Sequence, residues 1–309
     1  MKILYASAMT NEDAWLTLLR QALPEAEIVE WQPDAAPTEA EIAVAWMPPE
    51  DLFVREKGIK AIFNLGAGVD ALLKLPELPS DTLVVRLEDA GMSIQMAEYA
   101  LQAILRQSRS FACYESLQKK KEWAPQADID REAWPVGVLG MGKMGSRVAE
   151  MLSTFEYPVA GWSRSPREVA GVESFHGQDQ FDDFLGRTRV LINTLPLTPE
   201  TRGILNARTL GQLLPDALLI SMGRGEHLVE EDLIPLLDSG QLMSATLDVF
   251  HQEPLPQDHP FWTDSRIHIT PHTAAASLPR ETVAQISGKI RQYVAGDIPS
   301  GVVRVDQGY

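Results

Sequence analysis

The chain has 309 residues, 43 of them acidic and 27 basic, for a net charge of −16 with the six histidines neutral. That charge argues against nucleic acid or an anionic membrane surface as partner, because both would be repelled. The single cysteine, Cys113, excludes an internal disulfide and a multi-cysteine zinc site, and its place in an apolar helical stretch predicts a buried thiol.

Length sets a prior of two domains of roughly 150 residues each, and an apolar fraction of 45% supplies enough material for their cores. No stretch reaches the about 18 consecutive apolar residues of a membrane helix. A run of only three apolar residues, Ile3-Leu4-Tyr5, precedes Ala6-Ser7-Ala8, short of the about 7–15 of a signal peptide. The expectation is a soluble cytoplasmic protein.

Short apolar runs alternate with helical patterns from the start. Residues 2–6 read as a strand, 12–22 as a helix, and Ile28-Val29, 42–46 and 61–66 as further strands. This alternation predicts a parallel sheet with crossover helices. Residues 94–117 read as one long helix, with Ala97, Ala100, Leu101, Ile104, Leu105, Phe111 and Ala112 on its apolar face and Ser93 as N-cap. The basic run Lys119-Lys120-Lys121 suits a solvated helix end, where cations meet the negative dipole terminus. A second alternating series runs from the strand 136–139 to 267–270, and the helical pattern 279–294 precedes a strand-like Val302-Val303. If that tail packs back on the first series, the first domain is discontinuous, with residues 1–94 plus 276–309 forming one domain and 95–275 the other.

Gly140-Met141-Gly142-Lys143-Met144-Gly145 fits G-x-G-x-x-G, directly after a strand and opening a helix. In that context the pattern is a dinucleotide fingerprint. Gly140 permits the tight turn, Gly142 the approach of a pyrophosphate, and Gly145 close helix–strand packing, while the N–H groups of Lys143 and Met144 point at phosphate. The next strand ends in Trp162-Ser163-Arg164-Ser165. An NAD site usually carries an acid there for the ribose 2′-hydroxyl; a guanidinium between two hydroxyls suits a 2′-phosphate instead. The cofactor expected is NADP(H).

Three further segments each place polar residues just past an apolar run: Ser221-Met222-Gly223-Arg224-Gly225-Glu226, Leu247-Asp248 to Glu253-Pro254, and Ile269-Thr270-Pro271-His272. Ligands of open parallel sheets bind beyond the carboxyl ends of strands, so all three can reach one ligand. His251 stands two residues before Glu253 and rivals His272 as an acid; His176, His227, His259 and His268 read as surface or structural.

These motifs, with Gly66-Ala67-Gly68-Val69-Asp70, Leu195-Pro196-Leu197-Thr198-Pro199-Glu200-Thr201 and the terminal Gly308-Tyr309, resemble the D-isomer-specific 2-hydroxyacid dehydrogenase family over nearly the whole chain. Within it the likeness is to the branch that reduces glyoxylate and hydroxypyruvate with NADPH. The resemblance implies two Rossmann-like α/β domains, one flavodoxin-like and one NAD(P)-binding, with the active site in a cleft between them. It implies Arg224, Glu253 and His272 as catalytic residues: Arg224 to hold and polarise a 2-oxo acid, His272 to protonate the forming alkoxide, Glu253 to orient and charge His272. It also implies substrate contacts from Trp46, Leu65, Gly66 and Ala67, and cofactor contacts from Leu195, Pro196, Thr201 and Asp248. A homodimer is implied through the helix after residue 93, with Trp123 as an aromatic some members lend to the partner's site. No metal is called for, since no His/Cys/carboxylate cluster has ligand spacing.

Overall fold

The structure, a computed structural model, describes residues 1–8, 12–126 and 130–303; Gly308-Tyr309 lies outside the described residues. The chain divides into two compact units, Met1–Gly91 with Ser277–Tyr309, and Met92–Ala276.

In the first unit, β1 (Lys2–Ser7), β2 (Glu27–Glu30), β3 (Ile42–Trp46), β4 (Ala61–Asn64) and β5 (Leu83–Val85) form one sheet in the order β2-β1-β3-β4-β5. All pairs are parallel, and this is the flavodoxin-like order. Strands β3 and β4 are runs of buried residues, as a parallel sheet covered on both faces requires. Helices α1 (Glu12–Ala22) and α2 (Leu52–Arg55) belong to this unit.

The second unit opens with α3 (Met92–Ser108) and α4 (Phe111–Lys120). The single long helix read from the pattern is therefore two. Ser110 adopts the left-handed region, φ 55°, and Arg106 pairs across the elbow with Glu115 at 2.9 Å. Periodicity reports a face, not continuity. The buried residues of α3 end at Ile104, its last turn is held by Gln107 on Ser244 and Ser108 on Tyr157, and α4 buries none, so past Ser108 no apolar surface holds the helix straight. Cys113 accordingly is exposed, and Ser93 lies inside α3, buried, rather than capping it.

The sheet of this unit comprises β6 (Val136–Leu139), β7 (Val159–Ser163), β8 (Val172–His176), β9 (Val190–Asn193), β10 (Ala217–Ser221), β11 (Leu242–Leu247) and β12 (Ile267–Ile269). Its order is β12-β11-β10-β9-β6-β7-β8, parallel throughout. Side chains alternate between two cores. Val136, Val138, Leu218 and Ile220 join Met96, Ala97, Ile104 of α3 and Val148, Leu152 of α5 (Lys143–Thr154). Leu139, Leu191, Leu219 and Leu247 join Phe184, Leu185 of α6 (Phe181–Gly186) and Leu233, Leu237 of α8 (Glu230–Asp238). The period of two along each strand sends neighbours to opposite faces. The short α7 (Ala207–Leu210) is closed by an Asn206 capping box.

Finally α9 (Pro279–Val294) returns to the first unit. Arg291 pairs with Glu25 just past α1 at 2.9 Å, and the buried Lys289 meets Glu88 at 3.2 Å. The tail closes with a bridge between Val302 and Val85.

Candidate active site

β10, β11 and β12 are adjacent in the sheet, so the segments that leave their carboxyl ends are neighbours in space. Arg224 follows β10, Asp248 and Glu253 follow β11, and His272 follows β12.

His272 Nδ1 lies 2.7 Å from Glu253 Oε2. The other oxygen of Glu253 accepts the Phe250 N–H at 2.9 Å, so the carboxylate is held at both ends. The Glu253 hydrogen bond raises the His272 pKa above 6.5 against an opposing effect of partial burial. Burial of Glu253 pushes its carboxyl up, but His272 and the Phe250 N–H outweigh that and hold it below 4.5. Both shifts favour the ion pair. The charge of Arg224 acts on both groups, which puts the three side chains within one electrostatic neighbourhood. With Nδ1 on Glu253, Nε2 is the ring nitrogen left to meet a ligand. The rival His251 instead directs its Nε2 to the Leu228 carbonyl at 2.7 Å.

The backbone of His272 is strained, with φ 54° on a non-glycine residue, a conformation that persists only where the surroundings fix it. Asp248 does so. It is buried, and its carboxylate accepts the N–H groups of Thr273 and Ala274, each at 2.8 Å, and the Thr270 hydroxyl at 2.6 Å. Its carbonyl accepts the His272 N–H at 2.9 Å. Since Thr270 spends its one proton on Asp248, Tyr99, at 2.6 Å from the Thr270 oxygen, is the donor in that pair. Burial pushes the Tyr99 phenol up to about 12, so it stays a neutral donor. Asp248, grouped by resemblance with the cofactor contacts, has both oxygens engaged in shaping the His272 turn.

The glycine fingerprint sits at the point where the strand order reverses, between β6 and β9, the crevice where such sheets take ligands. Gly140 has φ 96°, and a Cβ on Gly145 would lie 1.9 Å from the Gly140 carbonyl oxygen. A Cβ on Gly142 would meet nothing within 4 Å, and no side chain caps the first turn of α5. Open space above uncapped helix amides fits a pyrophosphate. Ser163 ends β7 and Arg164 and Ser165 follow it, with no acid among the three, and Arg164 and Ser165 are exposed, which fits a 2′-phosphate. Ser163 donates to the Ser165 carbonyl at 2.7 Å. Arg164 also acts on Glu200 of the 195–201 loop, where a Thr198 hydrogen bond first and the Arg164 charge last hold the carboxyl down. Trp162 and Thr201 are engaged inside the protein: the Trp162 N–H donates to Gly177 O at 2.9 Å, and Thr201 Oγ1 to Pro196 O at 2.8 Å. Leu195 is buried.

In the first unit, Asn64 Nδ2 donates to the carbonyls of Gly66 and Gly68, each at 2.8 Å. A trans peptide points its N–H opposite to its carbonyl, so the N–H of Ala67 faces away from Asn64. The Trp46 ring lies where a Gly66 Cβ would be, 1.8 Å from that position; no residue but glycine fits beneath it. Leu65 is buried, and its carbonyl accepts from Ser277 at 3.0 Å.

A model of the family described as D-isomer specific 2-hydroxyacid dehydrogenase, NAD binding domain, matches residues 101–274. The chain belongs to this family. A glyoxylate/hydroxypyruvate reductase A of Serratia proteamaculans is 45% identical, and one of Photorhabdus laumondii 42%, each alignment covering 100% of both chains. Among solved structures, a D-isomer specific 2-hydroxyacid dehydrogenase from Xanthobacter autotrophicus in complex with NADPH and MES matches with TM-score 0.94 and 36% identity, over 100% of this chain and 99% of that one. An NADPH-dependent glyoxylate/hydroxypyruvate reductase from Sinorhizobium meliloti in complex with NADP and sulfate matches with TM-score 0.93 and 35% identity, over the same shares.

For this family member, sequence reasoning named the side chains proposed to face ligand and gave no role to those that hold them: Asn64, Tyr99 and Asn193, with Thr270 quoted only as part of the segment before His272 and His227 read only as surface or structural. Only the packing of distant segments brings them to their partners.

Proposed function

We propose that the protein reduces small 2-oxo acids with NADPH, glyoxylate to glycolate and hydroxypyruvate to D-glycerate. The observation that carries the reading is the Glu253–His272 pair at 2.7 Å within the field of Arg224, on the same sheet as an open glycine fingerprint. Full-length relatives at 42–45% identity named for that reaction support it.

When bound, NADPH supplies a hydride to the carbonyl carbon. The protein's own residues do the rest. Arg224 holds the substrate carboxylate and polarises the carbonyl with its fork of donors. His272 delivers its Nε2 proton to the carbonyl oxygen as negative charge develops there. Glu253 keeps the ring oriented through Nδ1 and favours its protonated form. We also assign Trp46, Leu65, Gly66 and Ala67 to the substrate, the outward N–H of Ala67 being a donor suited to a carboxylate. We assign Gly140, Gly142, Lys143, Met144, Gly145, Ser163, Arg164, Ser165, Leu195 and Pro196 to the cofactor, with Trp162, Thr201 and Asp248 shaping the segments that touch it.

The partner we propose is a second copy of the chain, seated on α3 and α4. α4 buries no residue, and Phe111, Tyr114 and Trp123 stand exposed, Trp123 to 97%. We place the protein in the cytoplasm, a compartment that holds the NADPH it is proposed to use; no described helix is long and apolar enough to cross a membrane.

Loss of NADPH absorbance, followed with a panel of 2-oxo acids, tests the reading. Glyoxylate and hydroxypyruvate are expected to be turned over with the highest kcat/KM. Preference for a bulkier side chain would make this another dehydrogenase of the family. Turnover of no 2-oxo acid would leave a nicotinamide-binding module without catalysis.

A further inference from the structure

One histidine outside the proposed catalytic set is wholly buried. His227, in a 3-10 turn spanning Gly225–His227, has 0% exposure. Its Nδ1 lies 3.1 Å from the backbone nitrogen of Arg224 and 3.0 Å from Asn193 Nδ2, and its Nε2 lies 3.2 Å from the Pro196 carbonyl oxygen. The orientation of the Asn193 amide is fixed independently, because its Oδ1 accepts the Leu195 N–H at 3.2 Å. Two donors therefore face Nδ1, which has to be the bare acceptor, and the proton resides on Nε2, donated to Pro196. One neutral tautomer satisfies every contact.

We propose that His227 is a positioning residue that ties Arg224 to the 195–201 loop, fixing the substrate-binding guanidinium relative to the cofactor segment. This rests on the role of Arg224 given above. The glycine before the arginine bears it out: a Cβ on Gly223 would lie 2.8 Å from His227 Nδ1 and 2.9 Å from Asn193 Nδ2. The ring and the amide thus pack directly beneath the chain that carries Arg224. The turn is sewn to the loop by backbone as well, with Gly203 N–H on Glu226 O and Leu205 N–H on His227 O, both at 2.9 Å.

The bridge has a consequence for pH. A second proton on the ring would sit on Nδ1, facing the Arg224 N–H and the Asn193 amide, and would remove the acceptor that both need. Burial first, and the Arg224 charge after it, hold the His227 pKa below 6.5, with Glu226 and the Pro196 and Arg224 backbone contacts opposing. The charged groups acting on it, Arg224 and Glu226, are on its own turn; Asn193 of β9 and Pro196 of the following loop are neutral. As pH falls below 6.5 the neutral ring, and with it the bridge, is lost only at the depressed pKa.

Two variants and one spectrum test this. In His227→Phe the KM for glyoxylate should rise roughly tenfold, the worth of one lost buried hydrogen bond. His227→Asn can present Oδ1 where Nδ1 was, so it should recover most of that loss and lack the acid limb of the wild-type pH profile of 1/KM. An unchanged KM in the Phe variant, an Asn variant no better than Phe, or an acid limb that persists in Asn would each overturn the proposal. Nitrogen-15 spectra of imidazole-labelled protein read the tautomer without any turnover: a neutral ring protonated on Nε2 is expected at pH 7, and a proton on Nδ1 would sink the bridge. If the wild type turned over no 2-oxo acid while that tautomer was seen, the assigned reaction would fail and the bridge would stand.

Discussion

In the proposed reaction His272 and Glu253 set the pH behaviour of the site, with protonated His272 as the proton donor and its pKa raised above 6.5 by Glu253. The kcat for reduction is therefore expected to hold through neutral pH and fall as pH rises through the raised value, while oxidation of the hydroxy acid rises over the same window. Glu253→Gln removes the stabilising charge, so the inflection should move down in a pH–rate profile. The pair's contribution to stability has the same signs: present below 6.5 and lost as pH climbs through the raised His272 pKa, and lost again in acid as pH falls through the lowered Glu253 pKa. His272→Asn should lower kcat by about 10²–10⁴, the range for a lost general acid, at little change in KM for NADPH. Asp248 works one step back. Asp248→Ala strips the acceptor from two amides and a hydroxyl, and three donors left without it, at about 1 kcal/mol each, cost about 3 kcal/mol. Melting curves should show a drop of roughly 6–12 °C.

At the scale of the element, the strand–turn–helix at β6 and α5 contains two glycines with opposite sensitivities. At Gly145 a methyl group would run into the backbone oxygen of Gly140, so Gly145→Ala should push α5 off its strand and destabilise the fold by about 1–3 kcal/mol. At Gly142 nothing of the protein is in the way. Gly142→Ala should therefore leave the melting temperature unchanged and raise the KM for NADPH, because only the cofactor meets the added carbon. Comparing the two variants by melting and by steady-state kinetics separates packing from ligand approach. The elbow between α3 and α4 is an element-scale feature of another kind: it turns aside a helix whose buried face has run out.

For the whole molecule, a net charge of −16 repels anions, yet both proposed ligands are anionic. In the sites proposed above, local donors offset this: helix amides and Arg164 for NADPH, Arg224 and His272 for the 2-oxo acid. Arg164→Ala should raise the KM for NADPH about tenfold or more and leave that for NADH nearly unchanged, since NADH lacks the phosphate. The exposed aromatics of α4 carry the assembly prediction. Phe111→Asp with Tyr114→Asp should convert a species of twice the chain mass into a single-chain one, as measured by light scattering; a wild type already at single-chain mass would remove the dimer.

The sequence by itself determined the alternating parallel architecture, the glycine fingerprint and the three polar segments after β10, β11 and β12. Strand periodicity, apolar run length and turn residues are local properties, and strands such as 42–46 and 136–139 and the helix 279–294 fall where those patterns put them. The tertiary structure decided what depends on neighbours far along the chain. It broke the 94–117 helix at Ser110 and left Cys113 exposed, because burial depends on whether another surface is present. It drew Glu253 onto His272 rather than His251, and placed His227 beneath Arg224 and Asn64 beneath Gly66. A hydrogen bond between residues such as Tyr99 and Thr270 has no sequence spacing to betray it. It exists only once the strand order has set those segments side by side.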